Sequence, residues 1–210
     1  MRVAPYEPDP GDEGIFKRIA KGMAHARSRY PALPALLTVA MLSSFGVSHT
    51  VLLPSFASES LGDGEYFPWI AAATGLGAMV GALRSGRVGA QVTMARAALG
   101  MLAYGLALAA FSISDILWPA LLTQFLIGFF YFSVMTRLQM LVQRIVDESL
   151  RGRVMSLFQV CWAGTIPFGS LAMGYAASLF GTPMTLLISS VICLTYGLIA
   201  WILFRRNPVT

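Results

Sequence analysis

The sequence predicts an all-α membrane protein, a bundle of six transmembrane helices with both termini cytoplasmic, on three observations. The first is bulk apolarity. Of the 210 residues, 56% are hydrophobic and only 12% charged, against roughly 25% charged in soluble domains, and the mean hydropathy is +0.68. From Val154 to Phe204 there is no acidic or basic side chain, a stretch that only lipid solvates. The second is the division of this apolar material into six blocks. Each comes near the about 20 residues that a helix needs to cross about 30 Å of hydrocarbon. The third is charge placement, since all 15 Lys and Arg fall on one side of the bilayer these blocks imply.

Taken in order, residues 1–12 hold Pro5, Pro8 and Pro10 among Glu7, Asp9 and Asp12, and are expected to be a disordered cytoplasmic lead-in. Over 13–30, Ile15, Phe16, Ile19, Met23 and Ala26 recur at helical spacing between Lys17, Arg18, Lys21, His25 and Arg27. That pattern fits an amphipathic helix on the cytoplasmic lipid surface and, equally, a solvated basic linker. Residues 1–30 are polar, with charges of both signs, so the first span is expected to act as its own insertion signal. The bundle occupies 31–206, with spans near 32–57, 66–83, 97–114, 116–136, 154–179 and 183–204, and 207–210 form a tail. Pro34 and Pro54 lie near the ends of the first span, where a missing N–H is most easily tolerated. Gly181-Thr182-Pro183 joins the last two spans as a helix stop followed by a turn former. One helix through both would far exceed a bilayer at 1.5 Å per residue, so a tight hairpin is expected.

Orientation follows from the charges. Arg2, Lys17, Arg18, Lys21, Arg27 and Arg29 precede the first span. Arg84, Arg87 and Arg96 fall between the second and third, and Arg137, Arg144, Arg151 and Arg153 between the fourth and fifth. Arg205 and Arg206 follow the sixth. The alternate turns carry Glu59, Asp63, Glu65 and Asp115 and no basic residue. By the positive-inside rule the termini and the even-numbered turns are cytoplasmic. Five or seven spans would scatter the arginines over both faces, so the charge partition checks the helix count independently. It also accounts for the sequence pI near 9.6 without nucleic acid, because the basic residues sit in short clusters between apolar blocks.

Signatures of enzyme chemistry are missing from the sequence: no HExxH, GxSxG or Walker loop, and no pair of carboxylates within a span. Not an enzyme is therefore the expectation, with no cofactor and no metal. Cys161 and Cys193 lie inside apolar blocks and read as small buried apolar residues. His49 is the one ionisable group clearly inside a span; toward the outer end of the first helix, it is either functional or simply placed at interfacial water. Gly77 and Gly81 on the second span have the small-residue spacing that lets helices approach closely in lipid. Gln124, Gly128, Tyr131 and Met135 make a less greasy stripe on the fourth span, which lines a cavity or another helix. Ser43, Gly46 and Thr50 make a comparable face on the first. In the fifth, Gln159, Thr165, Pro167, Gly169 and Gly174 interrupt the apolar run and predict a bend, and Pro167, Gly169 and Gly174 are expected, like Gly77 and Gly81, to serve helix packing.

The most specific segment runs from Leu141 to Leu157, with Gln143, Asp147, Glu148, Arg151, Gly152, Arg153, Val154 and Ser156, followed by Pro167 and Gly169. It resembles the major facilitator superfamily, in the branch of multidrug, macrolide-type and enterobactin-type exporters. There the loop between the tenth and eleventh helices reads close to Gln, a short spacer, an acidic pair, then Arg-Gly-Arg-Val-x-Ser. The rest of the chain is similar to helices 7–12 of that fold. The earlier turn, Gly81-Ala-Leu-Arg-Ser-Gly-Arg87, is similar to the superfamily's Gly-x-Leu-x-Asp-Arg loop but carries Ser85 in place of the acid.

The resemblance implies a secondary active transporter, an exporter of small molecules coupled to protons, multi-pass in the cell (inner) membrane. It implies a C-terminal half that completes its site with an N-terminal bundle or a homodimer. Membrane lipid and a small-molecule substrate are the other expected partners, with no nucleic acid. Substrate-cavity candidates, taken from helix faces, are Ser43, His49, Gln124, Tyr131 and Gln159. Arg151 and Arg153 with Asp147 and Glu148 form either a cytoplasmic ion-pair latch or ordinary positive-inside anchors. The reading from another class is a non-transporting membrane scaffold, assembly subunit or inactive remnant.

Overall fold

A computed structural model describes residues 27, 30–87 and 93–205. The lead-in over 1–12 and the tail over 207–210 lie outside the described residues, as does the segment 13–30 except for Arg27 and Tyr30. Among the described residues every regular element is helical. Six stretches are long and apolar enough to span a membrane: Ala32–Glu59, Gly64–Gly86, Met94–Ser112, Leu117–Ile145, Leu150–Phe180 and Thr182–Phe204. The first span is composite. α1 (Ala32–Met41) passes into a π-helical turn over Leu42–Gly46, then a 3-10 segment over Val47–Leu52, then α2 (Leu53–Glu59). Then come α3 (Phe67–Arg87), α4 (Met94–Ser112), α5 (Leu117–Ile145), α6 (Glu148–Trp162), α7 (Ile166–Phe180) and α8 (Thr182–Phe204).

The second span continues as helix to Arg87 rather than 83, which puts Arg84 and Arg87 inside α3, and two further boundaries differ for local reasons. The third span starts at Met94 rather than 97, because the Thr93 hydroxyl accepts from the Arg96 amide and caps the helix. The fourth runs to Ile145 rather than 136, because Leu138, Leu141 and Val142 remain buried beyond the expected end. Arg137 therefore sits inside α5 rather than in a turn. The expected loop before the fifth span shrinks to Val146 and Asp147. Asp147 takes the N-cap position and Glu148 the first turn of α6, where negative charge opposes the positive end of the helix dipole.

Small residues decide how the spans meet. α3 and α5 form the most extensive helix pair. A Cβ on Gly77 would strike the Phe125 carbonyl, one on Gly81 the Phe129 carbonyl, and one on Gly128 the Thr74 carbonyl. Backbone thus lies against backbone from both sides, the only way to gain dispersion where lipid already satisfies apolar side chains. On the fifth span Gly169 lies against the Ser44 carbonyl and the Ser48 hydroxyl. Gly174 is exposed, with open space around a notional Cβ; its expected packing role has no neighbour to serve.

The first span is not one continuous α-helix. A break in a membrane helix frees carbonyls that lipid cannot satisfy, and here side chains take them over. The Ser43 carbonyl accepts from Ser48 Oγ at 2.9 Å, Gly46 from His49 Nδ1 at 2.6 Å and Val47 from Thr50 Oγ1 at 2.9 Å. The Phe45 carbonyl accepts from the hydroxyl of Ser189 on α8. The change of helical pitch also rotates the following residues, so Ser43, Gly46 and His49 are buried while Thr50 turns outward. Ser189→Ala removes the one of these donors that comes from another span. It should cost about 1–3 kcal/mol, read as a lower thermal midpoint of the detergent-solubilised chain; an unchanged midpoint would show that the break is held by its own segment alone.

The fifth span is broken as well, more sharply than the expected bend. α6 ends at Trp162, and α7 restarts at Ile166 with Pro167 in its first turn, where the missing N–H costs nothing. Thr165 Oγ1 donates to the Cys161 carbonyl at 2.8 Å across the gap. α7 packs against the π and 3-10 segments of the first span, and Ser48 Oγ lies 3.3 Å from the Ile166 carbonyl. The two broken spans therefore meet break to break.

The outer surface is apolar nearly all round, with Trp69, Trp118, Phe168, Leu171 and Tyr175 exposed. Trp69 and Trp118 stand near the starts of the second and fourth spans. At the other end the Arg205 guanidinium lies 5.0 Å over the Trp201 ring. Aromatic residues at both ends match the two interfaces of a bilayer.

Candidate functional site

Among the described residues, a polar group of side chains drawn from the first four spans lies inside the apolar bundle. Gln124 on α5 is fully buried and His49 is 1% exposed, so each must find partners within the protein. Thr74 on α3 donates to Gln124 Oε1 at 2.9 Å. His49 Nδ1 lies 2.6 Å from the Gly46 carbonyl and 3.3 Å from the Tyr104 hydroxyl of α4. A carbonyl only accepts, so the shorter contact assigns the proton to Nδ1 and leaves Nε2 with its lone pair. Nε2 of His49 and Nε2 of Gln124, an acceptor and a donor, are both buried without a hydrogen bond, on side chains close enough to interact.

Beside them is a cavity of about 50 Å³, bordered by His49, Thr74, Tyr104, Gly128 and Tyr131. The Tyr131 hydroxyl accepts from the indole of Trp162 at 2.7 Å, which ties the break in the fifth span to the cluster. Ser43 Oγ, buried and without a hydrogen bond, lies near the same hydroxyl. The Tyr104 and Tyr131 rings stand 6.3 Å apart between the two halves of the cluster.

Of the five residues picked from helix faces, the structure brings four together: Ser43, His49, Gln124 and Tyr131. Gln159 is exposed on α6 and joins none of them. His49 also departs from the interfacial placement allowed for it, because the rotation through the π and 3-10 turns carries its ring into the bundle. Thr74, Tyr104 and Trp162 were missed. Each is a polar-headed side chain within an apolar block, a signal present in the sequence but swamped by similar residues that face outward, such as Tyr175.

The segment from Gln143 to Arg153 sits at the arginine-bearing end. Gln143 is exposed on the last turn of α5, Asp147 and Glu148 open α6, and Arg151, Gly152 and Arg153 follow within α6. The motif is thus a helix end, a two-residue turn and a helix start rather than a loop. No Cβ contact surrounds Gly152.

The central cluster presents neutral donors and acceptors, one imidazole and no carboxylate. Among the described residues no three His, Cys, Asp or Glu side chains gather as metal ligands would. Such a site can recognise a hydrogen-bonding group in an apolar setting, and its imidazole can take and release a proton. A cavity of about 50 Å³ has room for a water molecule or so, well short of the roughly 300–1,000 Å³ that encloses a drug-sized ligand. Against known proteins, the family model described as transmembrane secretion effector matches residues 2–209. No curated protein matches the chain.

Proposed function

Because the chain belongs to the major facilitator family described as transmembrane secretion effector, a family of multi-pass membrane transporters, we propose that it is a secondary active exporter of small molecules, coupled to protons, in the cell (inner) membrane. The observation that carries this reading is the buried cluster of His49, Gln124, Thr74, Tyr104 and Tyr131, set where two broken spans meet. Discontinuous membrane helices are the usual frame of a transport site, because their freed backbone and side-chain groups can face a substrate only where lipid is excluded. In this reading the termini and the arginine-bearing end face the cytoplasm.

The small cavity supports a second part of the proposal. The six spans act with another six-helix bundle, in the same polypeptide, in a partner or in a second copy, and the substrate lies between the two. The exposed apolar faces leave room for such a bundle as well as for lipid.

The test is efflux of a panel of fluorescent lipophilic drugs from cells expressing the full chain, alone and with an N-terminal bundle. Loss of efflux on dissipating the proton gradient is expected. Efflux that survives dissipation would remove the coupling, and no efflux under any pairing would favour the scaffold reading. A second variant tests the proposed latch. Arg151→Ala with Arg153→Ala should lower transport severalfold while leaving insertion and expression intact. Unchanged efflux would reduce the pair to topology anchors.

A further inference from the structure

At the arginine-bearing end, away from the central cluster, three arginines from three different spans line one cavity of about 390 Å³: Arg84 of α3, Arg96 of α4 and Arg137 of α5. Arg137 is half-buried and lies within the electrostatic reach of both others. None of the lining residues is acidic. Among the described residues Glu59, Asp63, Glu65 and Asp115 lie at the other end of the spans, while Asp147 and Glu148 open α6 at this same end, outside the cavity lining. The positive charges of Arg84 and Arg96 act against that of Arg137, and an anion in the cavity draws on all three guanidinium groups at once.

The shape and chemistry select the anion. Guanidinium groups form paired, charge-assisted hydrogen bonds with the oxygens of a phosphate, and several at once suit its spread of charge. The remaining walls are largely apolar, with Leu99, Phe129 and Phe130 among them. Leu99 is 48% exposed, so part of the cavity's apolar wall faces the surroundings. Arg96 stands in the first turn of α4 and Arg84 in the last turn of α3, the depth at which lipid phosphates lie. We propose that Arg84, Arg96 and Arg137 form a binding site for a phosphate group, carried by an anionic phospholipid or by a soluble phosphate. The site stands independently of the transport reading.

The test uses the full 210-residue chain in micelles containing equal amounts of phosphatidylglycerol and of the diacylglycerol that lacks its phosphate, with bound lipid read by native mass spectrometry. The wild-type chain should retain the phosphatidylglycerol in clear excess. Each of Arg84→Gln, Arg96→Gln and Arg137→Gln should weaken retention about fivefold, the effect of about one interfacial charge. Arg→Lys at the same positions should keep most of it. Arg205→Gln removes a charge at the same end but outside the cavity and should change little.

Millimolar inorganic phosphate separates the two sources. If it raises the thermal midpoint in diacylglycerol micelles and displaces the lipid, the site takes soluble phosphate. If it does neither while phosphatidylglycerol is retained, the site is a lipid-headgroup site. Equal retention of the two lipids by the wild-type chain, together with no response to phosphate, would overturn the proposal without recourse to any variant. So would a loss in Arg205→Gln as large as in Arg137→Gln, which would make the effect one of general surface charge.

Discussion

Gly128→Leu or Gly77→Leu alone should cost at least the about 3 kcal/mol at the upper end of ordinary overpacking, and combining them should cost little more. A Cβ at position 77 meets the Phe125 carbonyl and comes within 3.0 Å of the Phe129 amide nitrogen. One at position 128 meets the Thr74 carbonyl and comes within 3.0 Å of the Ala78 nitrogen. These neighbours are backbone, so no rotamer change can make room and the two helices must separate. The first substitution forces that separation along the whole crossing, and the second finds it already made. The result should be strongly sub-additive, as for residues that share one strained contact. Size-exclusion profiles of heated, detergent-solubilised chain read it directly. Gly174→Leu, in open space, should stay within about 0.5 kcal/mol of the parent. Equal damage at positions 174 and 128 would dismiss the crossing as the cause.

Gly77 and Gly81 were visible in advance because spacing along one helix is a local property and lipid makes its meaning nearly unambiguous. The span count was legible for the same reason, since hydrophobic thickness fixes length and charge fixes sides. Gly128 was seen only as part of a polar stripe, although it answers Gly77 across the crossing. That reciprocity is a property of the pair. The break in the first span was hidden because its stabilisation is non-local. Ser189, which satisfies the Phe45 carbonyl, lies 144 positions away, and nothing between Leu42 and Leu52 other than Gly46 is a helix breaker. Without the break, helical periodicity puts Thr50 with Ser43 and Gly46; with it, His49 is buried in the cluster, while Thr50 is exposed and still borders the cavity. Gln159 failed for a simpler reason: a lone polar residue on a helix of unknown rotation faces the core or the surface, and the local pattern does not choose.

The two broken spans give the central cluster its character. A continuous first span would pair its own carbonyls and keep His49 on another face. Pitch changes instead turn backbone acceptors inward, where Ser48, His49 and Ser189 answer them. Trp162, at the end of α6, reaches Tyr131 only because the fifth span stops there. In the proposed transport reading, these breaks are where the two spans would bend to expose the site alternately to two sides.

His49→Ala should therefore reduce transport by about 10–100-fold, the loss expected when a buried hydrogen-bonding side chain leaves its partners unpaired. The ring holds the Gly46 carbonyl at 2.6 Å, meets the Tyr104 hydroxyl at 3.3 Å and faces Gln124. Its removal should also lower stability by about 1–3 kcal/mol, so lost activity alone would not distinguish a proton carrier from a structural strut. His49→Gln does distinguish them. A glutamine can donate to Gly46 and accept from Gln124 but cannot take up a proton near neutral pH. It should recover much of the thermal midpoint and should exchange substrate across the membrane at equilibrium, a process with no net proton movement. Under an imposed proton gradient it should not concentrate substrate. Gradient-driven accumulation by His49→Gln at the parental rate would assign the imidazole to the break in the first span and leave proton coupling to another group.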